Sequence, residues 1–195
     1  MINQKNKIKK FNEDGYIIIK NFLSLKDLKN IKTQMGDILD VQLSHNKIKF
    51  NKKSSVDTKY FLLKKKKPKL KSHFWDIIRM SDALNSIIYS DKIIKTIKKL
   101  LNSRTVIGTN IRFQTDSLAE KNNLPLHQEL NNISNDSALL WCPLVNVSQK
   151  IGGLCVIPKS HKYGHLNYRD SKLAAGSHRV GLIDSILNGS EKLSY

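Results

Sequence analysis

Cysteine is scarce in this chain and arginine scarce beside lysine, and both scarcities narrow what it can be. Cysteine occurs twice, as Cys142 and Cys155. Two are too few for a disulfide framework, and their separation rules out a CxxC redox or zinc pair. They read as reduced core cysteines of a cytoplasmic protein. Arginine occurs five times, at Arg79, Arg104, Arg112, Arg169 and Arg179, although Lys and Arg together number 34. Arginine is the side chain that forks onto phosphates and guanine edges, so its scarcity argues against specific nucleic-acid recognition. No apolar run approaches the roughly 20 residues of a membrane helix, so no membrane span is expected. The opening "MINQKNKIKK" is basic, but the apolar stretch that a secretory signal requires does not follow it.

What the chain has in excess is lysine. The formal net charge is +18, and six of residues 64 to 71 are Lys. A basic patch binds phosphate without sequence preference. No aromatics are interleaved with these lysines as a stacking platform would need. Asn and Ile are abundant beside Lys, a combination that A- and T-rich coding produces without any ligand. The charge therefore reads as a solvated lysine-rich surface, with a basic binding module as the alternative.

The 195 residues suffice for one domain with a core. In "FNEDGYIIIKNFLS" a polar turn containing Gly15 precedes a β-branched run, Tyr16 to Ile19, that predicts a buried strand. Ser24 stands as an N-cap with Asp27 at the third helical position. Leu25, Leu28, Ile31, Met35 and Ile38 then recur at helical spacing, predicting an amphipathic helix over 25–40. Residues 44–72 are polar and lysine-rich, interrupted by "YFLL" and Pro68, and predict a long loop or insertion. Ser81 and Ser90 cap two further helical patterns, "DALNSIIY" and "DKIIKTIKKLL".

From Arg104 the period changes to two. In "TVIGTNIRFQT" Ile107, Ile111 and Phe113 share one face, and Asn110, Arg112 and Gln114 the other. "ALLWCPLVNV" is apolar on both faces, as a central strand would be, and "GGLCVIP" is a strand between a Gly-Gly turn and Pro158. The predicted strands are 105–115, 125–130, 137–147 and 153–158. Helices first and strands afterwards predict an α+β or mainly β domain.

Between these strands lies "LPLHQEL". His127 and Glu129 are two apart, which on a strand puts both on one side. An imidazole and a carboxylate are two ligands of the 2-His-1-carboxylate triad, which holds Fe(II) and leaves positions open. H-x-E alone is a weak pattern, and by itself it reads more simply as two side chains bonded to each other or to solvent.

Three blocks, in order, resemble the phytanoyl-CoA dioxygenase family of Fe(II)- and 2-oxoglutarate-dependent oxygenases. "FNEDGYIIIKNFLS" is similar to the family's N-terminal element. "LPLHQEL" is similar to its metal motif, usually H-x-D with a Gln between. "LWCPLVNVSQKIGGLCVIPKSHKYG" is similar to its W-x-P/A-L strand, Gly-containing turn and "PGSHK-G" corner. The resemblance covers residues 11 to about 165 and implies a double-stranded β-helix (a cupin-like jelly roll) with N-terminal helices. On it, 1–195 is a single oxygenase-like domain: 11–103 hold the N-terminal strand and helices with the lysine-rich loop at 44–72, 104–165 begin the jelly roll, and 166–195 are a variable connection.

The resemblance implies His127 and Glu129 as iron ligands, with Glu standing where the family has Asp. It makes Gln114, Asn110 or Arg112, and Trp141 candidates for 2-oxoglutarate contacts; a solvent-facing stripe and core packing of Trp141 are the alternatives. His161 matches a corner histidine that ties a turn to the barrel. The implied activity is hydroxylation of a small-molecule substrate coupled to conversion of 2-oxoglutarate to succinate and CO2. The family's second histidine ligand and its 2-oxoglutarate arginine lie on later strands, and no matching stretch precedes "SILNGSEKLSY". His161, His165 and His178, with Arg179, are the only downstream candidates. The expectation is a jelly roll missing its last strands that does not turn over 2-oxoglutarate unaided, with a non-catalytic family relic as the rival.

Overall fold

A computed structural model describes residues 4–108, 111, 113, 128, 137–147, 153–164, 168–173, 176–181 and 193–194. Six helices come first: α1 (Gln4–Asp14), α2 (Leu25–His45), α3 (Val56–Lys66), α4 (Leu70–Arg79), α5 (Asp82–Ile88) and α6 (Asp91–Leu100). Short strands follow: β1 (Cys155–Val156), β2 (Tyr168–Leu173), β3 (Gly176–Gly181) and β4 (Leu193–Ser194). The chain divides into two compact units. One contains residues 1–19, 98–104 and 116–195; the other contains 20–97 and 105–115.

The second unit is built on α2. Ser24 caps it with a complete capping box: its hydroxyl accepts from the Asp27 backbone N–H at 3.1 Å, and the Asp27 carboxylate accepts from the Ser24 N–H at 2.9 Å. Ile31, Met35, Leu39 and Leu43 recur every fourth residue and are buried. Tyr60 and Leu63 of α3, Phe74 and Ile78 of α4, Ala83 of α5 and Ile93 of α6 are the other buried apolar side chains among the described residues of this unit. The Phe74 ring lies 5.5 Å from Tyr60 and 6.2 Å, edge to face, from Phe113. Such pairs add roughly 0.5–1.5 kcal/mol beyond area burial. Gln34 of α2 caps α5 from outside: its carbonyl accepts from the Ala83 N–H at 3.1 Å, and its amide bonds Asp82.

Residues 44–72 are not the loop that their composition predicts. Ser55 caps α3 by accepting from the Thr58 N–H at 3.1 Å. Lys67 then leaves helical geometry, with φ −141° and ψ 73°. It precedes Pro68, whose ring disfavours helical backbone in the residue before it. Lysine is itself a good helix former, so a lysine run with Tyr60 and Leu63 on its inner side folds as a helix. One lysine is inside: Lys59 is only 5% exposed, and its ammonium meets the Asp40 carboxylate of α2 at 2.6 Å.

Two further readings need correction. Leu25 opens α2 but stays exposed, and the buried stripe runs through Leu39 and Leu43. Cys155 is exposed, because its side chain faces outward from the two-residue β1; Cys142 is half-buried, and burial pushes its thiol pKa up.

In the first unit, β1 pairs antiparallel with β4, and β2 with β3, in register Leu173↔Gly176 to Tyr168↔Gly181. The β2–β3 hairpin occupies the stretch that the resemblance makes a variable connection. His178 stands opposite Ser171 in its backbone register. Residues 16–19 and 137–147 carry no ladder among the described residues. Alternation predicts extended backbone, whereas a strand also needs a partner's hydrogen bonds. Along 141–145 exposure does alternate, with Trp141, Pro143 and Val145 outward and Cys142 and Leu144 half-buried.

Ser24→Ala should lower stability by about 1 kcal/mol, as loss of a hydroxyl N-cap does. The Asp27 carboxyl sits below the ordinary carboxylate range because the Ser24 side chain and backbone N–H bond its charged form. A depressed carboxyl stabilises above its unfolded pKa and loses that contribution as pH falls through the folded one. The Ser24→Ala penalty, read from urea midpoints, should therefore be larger at neutral than at acidic pH.

Candidate functional site

Helix α1 ends with carbonyls that it cannot satisfy from within, since the last four of any helix lack partners. Gly15 takes φ +83° immediately after the helix, and its N–H donates to the Phe11 carbonyl at 2.8 Å. This left-handed stop is the ordinary use of glycine at a helix end. The Asp14 carbonyl accepts from the Lys159 backbone N–H at 2.7 Å. The Asn12 carbonyl accepts from His161 Nε2 at 3.1 Å. A carbonyl only accepts, so Nε2 carries the proton. The segment 158–164 is thus the cap of α1, supplied from 149 residues away in the case of His161 and Asn12.

Close approach explains the D-G turn. A Cβ built on Gly15 would lie 2.3 Å from His161 Nδ1 and 2.8 Å from Cγ, so the imidazole occupies the space that any side chain at 15 would need. The expected role of His161 is to tie a turn to a barrel; here it ties the corner to the end of α1.

The corner itself is built on two left-handed residues. Lys159 has φ +64° and ψ 2°. The resembling motif carries glycine at this position, and the backbone shows why: a side chain there costs roughly 1–2 kcal/mol. A single 3-10 turn, Ser160–Tyr163, follows. Gly164 then takes φ +66° and ψ −154°, a region that is essentially glycine-only. Its carbonyl accepts from the Gln128 side-chain amide at 2.8 Å. Gln128 is the central residue of "HQE", and it is half-buried.

His127, Glu129, Asn110, Arg112 and Gln114 lie outside the described residues. Trp141 is described and 45% exposed, so it is not a core residue. Among the described residues no cluster of three His, Cys, Asp or Glu stands close enough to hold a metal ion. No helix among them is long and apolar enough to cross a membrane. The contact that pattern alone passes over is that of Gln128 with the corner. The sequence signal is present, a glutamine at the middle of the motif, but its partner lies 36 residues away.

The D-G turn, the "HQE" motif and the "PKSHKYG" corner fall within one family match. The model of Phytanoyl-CoA dioxygenase (PhyH) matches residues 11–177. The chain belongs to the phytanoyl-CoA dioxygenase family, a family of oxidoreductases. No curated protein and no solved structure matches it.

Gly15→Ala should destabilise the protein by roughly 1–2 kcal/mol from backbone conformation alone, and by more from overlap with the imidazole. His161→Ala should cost about 1 kcal/mol for its hydrogen bond. The pair should be non-additive, with a coupling of roughly 0.5–3 kcal/mol as for residues in contact, because removing the ring makes room for the new methyl group. Equal penalties for Gly15→Ala with and without His161, measured by denaturant unfolding, would show that the ring does not fill that space.

Proposed function

We propose that the chain is an Fe(II)- and 2-oxoglutarate-dependent dioxygenase that hydroxylates a small-molecule substrate. The family match over residues 11–177 carries this reading. His127 and Glu129 are the residues that would hold iron. Their donor set fits: a neutral imidazole and a carboxylate, two residues apart, are N and O ligands of the kind that non-haem Fe(II) takes. Glu in place of the usual Asp keeps the carboxylate and adds one methylene. Dioxygen is the oxidant: a bound metal would activate it, 2-oxoglutarate would give two of its four electrons on conversion to succinate and CO2, and the substrate the other two; what the protein adds is geometry and exclusion of water.

Gln114, Asn110 and Trp141 are the candidates for contacts to 2-oxoglutarate. Trp141 can act from a partly open position, stacking its face over a bound molecule while its N–H donates. The fold in this proposal is a double-stranded β-helix with N-terminal helices. The outward Leu139, Leu140, Trp141, Val145 and Leu154 support it, as an apolar surface that a β partner would cover. The scarcity of cysteine agrees with a cytoplasmic setting. The rival, a non-catalytic family relic or a lysine-rich binding module, differs in one observable: it shows no Fe(II) binding at His127 that responds to 2-oxoglutarate.

The test is Fe(II) binding with and without 2-oxoglutarate. His127→Ala should abolish iron binding, and Glu129→Ala should weaken it at least ten-fold, about the least that loss of a ligand or its support costs. Lys66→Ala, on the exposed lysine run, should leave binding unchanged. Iron affinity that is indifferent to His127→Ala would exclude this site.

A further inference from the structure

We infer that the junction of α3 and α4 is a docking surface for an anionic lipid bilayer, a peripheral contact that holds the protein on a membrane face. Six of residues 64–71 are Lys, and no Asp or Glu occurs between Asp57 and Asp76. These lysines stand on ordered backbone. Lys64, Lys65 and Lys66 form the last turn of α3, and residues 67–69 connect it to α4. The N–H groups of Leu70 and Lys71 donate to the Lys67 and Pro68 carbonyls at 2.9 and 3.2 Å, which keeps that connection tight.

The charge is presented outward. Lys65, Lys66, Lys67 and Lys69 are exposed, and no ion pair among the described residues engages them. Lys95, by contrast, pairs with Asp91 one turn away at 2.7 Å. Neighbouring lysines here stand inside the Debye length, about 10 Å at 0.1 M salt, so their fields add. An anionic leaflet attracts clusters of about four to eight such residues, each charge at the surface strengthening binding roughly five-fold.

The apolar side chains favour lipid over other polyanions. Tyr60 and Leu63 of α3 are buried, whereas Phe61 is 46% exposed. Phe61 precedes Lys64 and Lys65 by three and four residues, so it shares their side of the helix. An outward ring beside ammonium groups suits the headgroup boundary: the ring enters the acyl edge while the charges stay at the level of the phosphates. Nucleic acid fits less well. It is best held by arginine forks and by several open ring faces. Residues 58–75 contain no Arg, and the Lys71 ammonium already lies 4.7 Å over the Trp75 ring.

The test is co-sedimentation of the full chain with phosphatidylcholine vesicles, with and without phosphatidylserine. Binding is expected only where phosphatidylserine is present. It should be lost at about 1 M salt, where the Debye length falls to about 3 Å. Lys65→Gln, Lys66→Gln, Lys67→Gln and Lys69→Gln together should weaken it at least roughly 25-fold, the effect of two surface charges. Lys29→Gln, Lys32→Gln, Lys52→Gln and Lys53→Gln together remove the same charge from other exposed positions. They should weaken it no more than roughly three-fold, because charges beyond a Debye length are screened. Glutamine is a good helix former. Should the first set nonetheless fail to fold, Lys65→Gln with Lys66→Gln decides in its place, with an expected loss of at least roughly five-fold. Equal losses from the two sets, or a wild-type chain that ignores phosphatidylserine, overturn the inference. Tighter binding to random single-stranded DNA than to vesicles at equal phosphate concentration also overturns it, since the surface then belongs to nucleic acid.

Discussion

The end of α1 sets a demand that the rest of the first unit is arranged to meet. A helix finishing at Asp14 presents carbonyls with no partner inside the helix, and burying them unpaired would cost roughly 1–3 kcal/mol each. Gly15 meets one by turning left-handed, and the corner at 158–164 meets two more through Lys159 and His161. The remaining features of the corner follow from that docking. His161 must come close, so residue 15 must lack a side chain. The chain must reverse tightly on either side of Ser160–Tyr163, so Lys159 and Gly164 take positive φ. Two motifs far apart in sequence are therefore one structural device, each shaped to the other.

The second unit solves a different problem, that of housing many like charges. Most of its lysines ride on helix surfaces, and those at 64–66 stand in the last turn of α3, where the helix dipole favours cations. Lys59 is the exception. Burying an ammonium costs several kcal/mol unless it is paired. Its pairing with Asp40 at 2.6 Å, beside the Phe50 ring at 5.8 Å, makes that burial tolerable. The pair also orients α3 against α2, because neither charge can be left without the other.

Legibility in the sequence follows the range of the interaction. Ser24, Ser81 and Ser90 are readable as caps because a cap and its acceptor lie within three residues. The change of period from 3.6 to 2 after Arg104 is local and so readable, but of the segments it marks only 153–158 contains a strand among the described residues, β1. Residues 56–66 mislead for a compositional reason. A lysine run resembles a solvated loop, although Ser55 offers a cap and Tyr60 with Leu63 an inner face. The β2–β3 hairpin gives no such signal, because its strands lack an apolar alternation. The H-x-E pair stands out by spacing alone, while Gln128 between the two does not, since nothing local shows that its amide meets a carbonyl 36 residues on.

That last gap shows why placement is harder to read than chemistry. Chain length is not the obstacle: closing a loop costs only about 0.6 kcal/mol more for each doubling of its length. Orientation is. A histidine and a carboxylate two residues apart are ready ligands in any extended segment, yet they serve a metal only if that segment presents the correct face at a fixed height. Gln128, between them in sequence, bonds a carbonyl 36 residues away at a position of glycine-only backbone. The corner's Gly164 carbonyl is held by Gln128, and α1's Asp14 and Asn12 carbonyls are held by the corner's Lys159 N–H and His161 imidazole. Three stretches far apart in sequence, around 12–15, 128 and 158–164, are thus joined by hydrogen bonds that no local pattern announces.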